Sequence, residues 1–112
     1  MPRLKFGIIP IEGGHYYRDA LEEVTRAVGL GFDSVWMEEH HSVPDHYWPS
    51  PLPVLAGFAT RTSKLMLGTD ILVAPFYHPV RLAEDVALLD VMSGGRITLG
   101  IAIGYKPDEF AL

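Results

Sequence analysis

The sequence predicts an α/β chain, part of a TIM-type (β/α)8 barrel, with about four parallel β-strands and three helices on the outer face. Three observations carry this. Four short apolar, β-branched-rich runs at residues 4–9, 34–37, 65–73 and 97–103 start at intervals of roughly 30 residues, the length of one strand–helix unit. The runs are nearly continuous rather than alternating, as expected of parallel strands buried on both faces. The segments between them have helical periodicity, so the order is β-α-β-α-β-α-β, with right-handed crossovers joining neighbouring strands.

Each helix has its own signals. Leu21, Val24 and Val28, with Ala20 and Ala27 beside them, form one apolar face, and Gly29 and Gly31 end that helix. Pro51 and Pro53 suit a first helical turn, and Leu55, Phe58 and Ala59 supply the stripe behind them. Pro79 opens a third helix carrying Leu82, Val86 and Leu89, which Gly94 and Gly95 terminate. An open doubly wound sheet is the competing architecture. It would normally place a glycine-rich phosphate loop after the first strand, and Glu12-Gly13-Gly14-His15 is only a weak version of one. A complete barrel needs about 200 or more residues. Residues 1–112 are therefore expected to be the N-terminal half of a barrel domain: a fragment, a truncated product, or a piece that pairs with something.

Composition narrows the function classes. Apolar residues make up 48% and charged residues 21% of the 112, a globular balance. The net charge of −5, with both signs interspersed, argues against a nucleic-acid surface. No apolar run approaches the ~20 residues that span a bilayer, and a cytoplasmic protein is the default expectation. With no cysteine, thiolate catalysis, disulfides and Cys-type zinc sites are excluded.

In barrels, active sites gather at the carboxyl ends of the strands, and the polar oddities of this sequence fall there. Glu38-Glu39-His40-His41, then Asp45 and His46, follow the second strand. Asp70 interrupts the third, with Tyr77 and His78 after it, and Gly104 and Tyr105 close the fourth. The Glu38–His41 cluster has three readings: a solvated loop, a metal site, or a catalytic histidine beside a carboxylate. The spacing does not favour metal, because adjacent strand residues point to opposite faces and neither HxH nor HExxH is present. Asp70 has two: a core carboxylate satisfied by hydrogen bonds, or a strand distorted so that the carboxylate faces a ligand cavity. Arg96, before the fourth strand, lies at the opposite end and reads as structural. Trp36 and Trp48 read as packing residues.

The segments GFDSVWMEEHH, LMLGTDILVAPFYHPVRLAEDVALLDVMSGGRITLGIAIGY and KPDEF together resemble bacterial luciferase-like flavin-dependent oxidoreductases and monooxygenases, over residues 4–110. The resemblance implies a (β/α)8 barrel with a flavin ring across its mouth. The cofactor would be reduced FMN working with O2, or the deazaflavin coenzyme F-420, and the substrate a small molecule of unknown identity. His40 matches the first histidine of the EHH motif, a catalytic acid or base, with Glu39 expected to orient or polarise it. Asp70 and Ile71 match a pair often joined by a non-prolyl cis peptide against the flavin. Gly104 and Tyr105 join them as cofactor-binding candidates, and Glu109 lies where deazaflavin-dependent members supply an acid. No metal ligand is assigned. Ala102-Ile103 departs from the light-emitting branch, which has a cysteine and a phosphate-binding arginine there, and this argues against light emission. The resemblance also implies a homo-oligomer through helices two and three. The isolated chain is expected to be inactive. Two rivals stand beside this reading: a metal-dependent barrel hydrolase using His40, His41 and Asp45 or His46, and an inactive half-barrel serving as an oligomerisation module.

Overall fold

The computed structural model describes residues 2–44 and 47–111. The regular elements are β1 (Gly7–Ile8), α1 (Tyr17–Leu30), β2 (Ser34–Met37), α2 (Pro51–Arg61), β3 (Met66–Thr69), β4 (Leu72–Val73), α3 (Pro79–Ser93), β5 (Ile97–Thr98), β6 (Ile101–Ala102) and α4 (Pro107–Phe110). β1, β2, β3 and β5 form a parallel sheet in that order, and β4 and β6 pair in a second, parallel two-stranded sheet.

The helices form where the apolar stripes place them. Ala20, Val24 and Ala27 are the buried face of α1, Leu52, Leu55, Phe58 and Ala59 that of α2, and Leu82 and Leu89 that of α3. They share one core cluster with Val35, Met37, Leu65, Leu67 and Leu72 from the strands and their approaches. Because strand side chains alternate, the opposite face of the sheet carries the intervening residues. There Trp36 lies across Gly7 and Gly68, and a Cβ on either glycine would run into its indole. The described helices α1, α2 and α3 thus cover one face and leave the other as the inner wall of a partial barrel. Gly31 ends α1 at φ 85°, its N–H donating to the Val28 carbonyl and that of Phe32 to the Ala27 carbonyl, whereas Gly29, expected to share that stop, lies within the helix.

Three strands differ from their expected lengths. The first pairs only at Gly7–Ile8, although the Asp33 N–H continues the contact to the Phe6 carbonyl at 2.8 Å. The run at 65–73 is broken: Thr69 Oγ1 donates to the Gly100 carbonyl (2.7 Å) and accepts from the Gly100 N–H (2.9 Å), which stands in for a ladder bond. The Asp70–Ile71 peptide beyond it is cis. Pairing resumes at Leu72, whose N–H reaches the Gly100 carbonyl at 2.9 Å, so the fourth run is split at the same level.

Arg96 anchors the opposite end. Its guanidinium donates to the carbonyls of Ser93 (2.6 Å), Leu65 (2.8 Å), Thr62 (2.9 Å) and Ala59 (3.0 Å) and to Thr62 Oγ1 (3.1 Å). It satisfies carbonyls that the end of α2 leaves without helical partners, and burial pulls its pKa below the usual arginine value. Trp48, also read as packing, is buried, with Nε1 donating to the Pro10 carbonyl at 2.8 Å.

Candidate active site

A cavity of about 320 Å3 opens where β2, β4 and β6 end. Its lining brings together the six residues expected to be catalytic or cofactor-binding: Glu39 and His40 from the segment after β2, Asp70 and Ile71 from the break before β4, and Gly104 and Tyr105 after β6. Asp70 is exposed and not a buried core carboxylate, so of its two readings the distorted strand is the one present. Gly104 sits at φ 78°, and a Cβ there would meet Val73 Cγ1 at 2.9 Å and the Phe110 ring at 3.0 Å. Ile103 (78% exposed) and Tyr105 (85%) leave one side of the cavity open.

The alternation of an extended chain sorts the acidic-histidine cluster. Glu39 and His41 share one side, and His41 Nε2 lies 2.8 Å from Glu39 Oε1. The Glu39 carboxylate is buried and also accepts the Tyr77 hydroxyl (2.8 Å) and the Val73 N–H (2.6 Å). Burial, and then the bond to Glu39 and its negative charge, push the Tyr77 phenol well above its ordinary range. The expectation that Glu39 orients His40 is therefore corrected. Glu39 ties the end of β2 to β4, because the i to i+2 repeat turns it away from its immediate neighbour.

His40 has a different carboxylate partner. Its Nδ1 lies 3.4 Å from Oε1 of Glu109, which also accepts the His41 N–H at 3.1 Å. The His40 N–H donates to the Trp48 carbonyl (3.0 Å), and its ring tilts against Tyr47 at 5.5 Å, while Tyr47 donates to Glu38 (2.7 Å). Glu109 is buried on α4. Burial alone would raise its pKa, but the His41 N–H, the His40 bond and the charges of His40 and Lys106 outweigh it and hold the carboxyl below the usual range. Phe110 stacks on Phe76 at 5.0 Å, and Phe76 meets the His41 ring edge-on at 4.5 Å, which seats α4 over the site. Sequence reasoning gave Glu109 a role only through the resemblance and gave Tyr77 none. The spacing of Glu39 and His41 was the one signal that pointed to their pairing.

Among the described residues no group of three or more His, Cys, Asp or Glu is arranged to hold a metal ion. Asp45 and His46, offered as ligands in the hydrolase reading, lie outside the described residues. Nor, among the described residues, is any helix long and apolar enough to cross a membrane.

The family model for luciferase-like monooxygenases matches residues 6–112. The chain belongs to the luciferase-like monooxygenase family. It is 40% identical over 94 residues to the oxygenase component of flavin-dependent trigonelline monooxygenase from Acinetobacter baylyi, covering 84% of this chain and 26% of that protein. The oxygenating constituent of 3,6-diketocamphane monooxygenase from Pseudomonas putida, solved with FMN, superposes with a TM-score of 0.86 at 26% identity, over 95% of this chain and 31% of that one. The F420-dependent tetrahydromethanopterin reductase of Methanopyrus kandleri gives a TM-score of 0.74 at 29% identity, over 98% and 30%. The chain thus spans a third or less of the length of these relatives. Membership makes it part of a flavin- or deazaflavin-dependent oxidoreductase family, and the chain itself has a partial TIM-barrel-like α/β fold.

Proposed function

We propose that this chain carries the first part of the active site of a monooxygenase that uses reduced FMN and O2 on a small-molecule substrate. F-420 is the alternative cofactor. The observation that supports the reading is the single cavity in which the His40–Glu109 pair shares a wall with Asp70–Ile71 and with Gly104–Tyr105. A flavin or deazaflavin, when bound, supplies the redox chemistry, and the protein supplies orientation and electrostatics. Ile71, Val73, Ala102 and Ile103 offer an apolar wall suited to a planar ring. No Lys or Arg lines the cavity, so the residues present fit the ring and not a cofactor phosphate.

The proton chemistry falls to His40. Glu109 holds Nδ1, which favours the tautomer with its proton on that nitrogen and leaves Nε2 without a partner among the described residues. Nε2 can then take a proton from a substrate atom in the cavity or return one to it, with Glu109 stabilising the charged ring. Glu39 acts one step removed, fixing the segment that carries Ile71 and Val73.

A titration of the chain with FMN and separately with the deazaflavin, followed by amide NMR shifts, tests this. The open cavity leaves much of a ring in water, so binding no tighter than about 1 mM, or about 4 kcal/mol, is expected. Shifts should be confined to residues 38–40, 70–73, 102–105 and 109. Shifts elsewhere, or none at millimolar ligand, would overturn the assignment.

A further inference from the structure

His40 is held at its backbone, at one ring nitrogen and against its ring face. The backbone N–H donates to the Trp48 carbonyl at 3.0 Å, and Trp48 is fixed in turn through Nε1 to the Pro10 carbonyl. Nδ1 lies 3.4 Å from Glu109 Oε1, at the long end for a hydrogen bond. This contact by itself fixes the ring weakly. Turning the imidazole over about its Cβ–Cγ bond puts a carbon where Nδ1 was, at little cost in shape, because that torsion is close to twofold. A further contact is needed to choose between the two orientations.

Tyr47 supplies it. Its ring lies tilted at 48° to the His40 ring with centroids 5.5 Å apart. Its hydroxyl donates to Glu38 Oε2 at 2.7 Å, the ideal separation for an O–H···O bond. Glu38 and His40 are two residues apart on an extended segment and so share a side, and both line the cavity of about 320 Å3. Tyr47 therefore bridges the two residues that this segment turns toward the cavity. It lies outside the helices and strands, yet it packs against the core cluster. Its base is thus seated in the core and its tip on Glu38, which stiffens the ring that flanks His40.

We propose that Glu38 and Tyr47 are a positioning pair for His40: their hydrogen bond holds the phenol ring against the imidazole, keeping Nδ1 on Glu109 and leaving Nε2 for the substrate. This role rests on His40 being the proton-transfer group. Neither Glu38 nor Tyr47 gives or takes a proton in it. Glu38 thus differs from Glu39, which turns the other way and ties β2 to β4.

Nitrogen-15 NMR of the 112-residue chain reads which nitrogen of the neutral His40 ring carries the proton. A histidine without a directing partner favours Nε2, so a dominant Nδ1–H form in the wild-type chain is the mark of the hold by Glu109. Tyr47→Phe keeps the ring and removes the hydroxyl, and Glu38→Ala removes its acceptor. Each should lower the ratio of Nδ1–H to Nε2–H about fivefold, the equivalent of one ordinary hydrogen bond. The double variant should fall no further than either single one, because both break the same bond. Glu38→Gln keeps an acceptor oxygen and should restore the wild-type ratio. His41, held by Glu39, should keep its tautomer in every variant. If one of the two single variants fails to fold, the other decides. A merely structural role would weaken the fold and leave the ratio unchanged, and that result overturns the proposal. So would additive losses in the double variant, or Glu38→Gln behaving like Glu38→Ala. A wild-type chain with the proton of His40 on Nε2 would overturn the reading of the His40–Glu109 pair itself, and the positioning pair with it.

Discussion

Replacing Glu39 separates its observed role from the one its neighbour in sequence suggests. The carboxylate accepts from the Val73 N–H, the Tyr77 hydroxyl and the His41 ring. In Glu39→Leu the buried Val73 N–H and the half-buried Tyr77 hydroxyl lose their acceptor, and an unsatisfied buried donor costs about 1–3 kcal/mol. His41 keeps some access to solvent, its side chain being 21% exposed, and adds little. Relief of the buried charge offsets part of the loss, so a net destabilisation of about 3 kcal/mol is expected. Glu39→Gln keeps one acceptor oxygen and should cost about 1 kcal/mol. Against a total stability of roughly 6–17 kcal/mol for a chain of this length, both variants should fold. The leucine variant should melt about 10–20 °C lower. Urea unfolding by circular dichroism gives the energies, and ring NMR of both histidines locates the effect. In Glu39→Gln the His41 resonances should move and those of His40 should stay. A leucine variant within 1 kcal/mol of wild type, or a shift at His40 in place of His41, would refute the argument.

Two further outcomes follow from the same coordinates. Arg96→Met removes five N–H donors that satisfy the ends of α2 and α3 and the approach to β3, and should cost at least ~3 kcal/mol in urea unfolding. Arg96→Lys should recover little of this, because one ammonium cannot reproduce the planar fork; full recovery with lysine would contradict the geometry. Glu23 on α1 has its pKa raised to about 7, by a hydrogen bond with Glu12, then by burial, then by repulsion from Glu12. A carboxyl whose folded pKa lies above its unfolded value contributes stability that is complete below about 4.5 and lost as pH rises to about 7. Glu23→Gln should therefore unfold at higher temperature than wild type above pH 7 and lose that advantage below 4.5. Parallel melting curves at both pH values would show that the pair does not share a proton.

The sequence by itself determined the three long helices, the four strand-forming runs and their order. Local signals suffice for this: the stripes of Val24 and Ala27, Leu55 and Phe58, and Leu82 and Leu89 fix which helix faces are buried, and Gly31 and Gly94 stop two helices at left-handed positions. It also marked the strand ends that line the candidate cavity, because ionisable residues follow the buried runs there. Only the tertiary structure decided the partnerships. Glu109 lies 69 residues from His40, and Tyr77 and Val73 lie 38 and 34 from Glu39. Such pairs depend on how the fourth unit folds back over the second, which periodicity does not report. The break at Asp70 was half visible, as a carboxylate in an apolar run. That it exposes Asp70 and restarts pairing at Leu72 depends on Thr69 meeting Gly100 across the sheet, 31 residues away. Hydrophobic patterning is a property of neighbours along the chain. A site is a property of neighbours in space, and the sequence names its members without saying which of them touch.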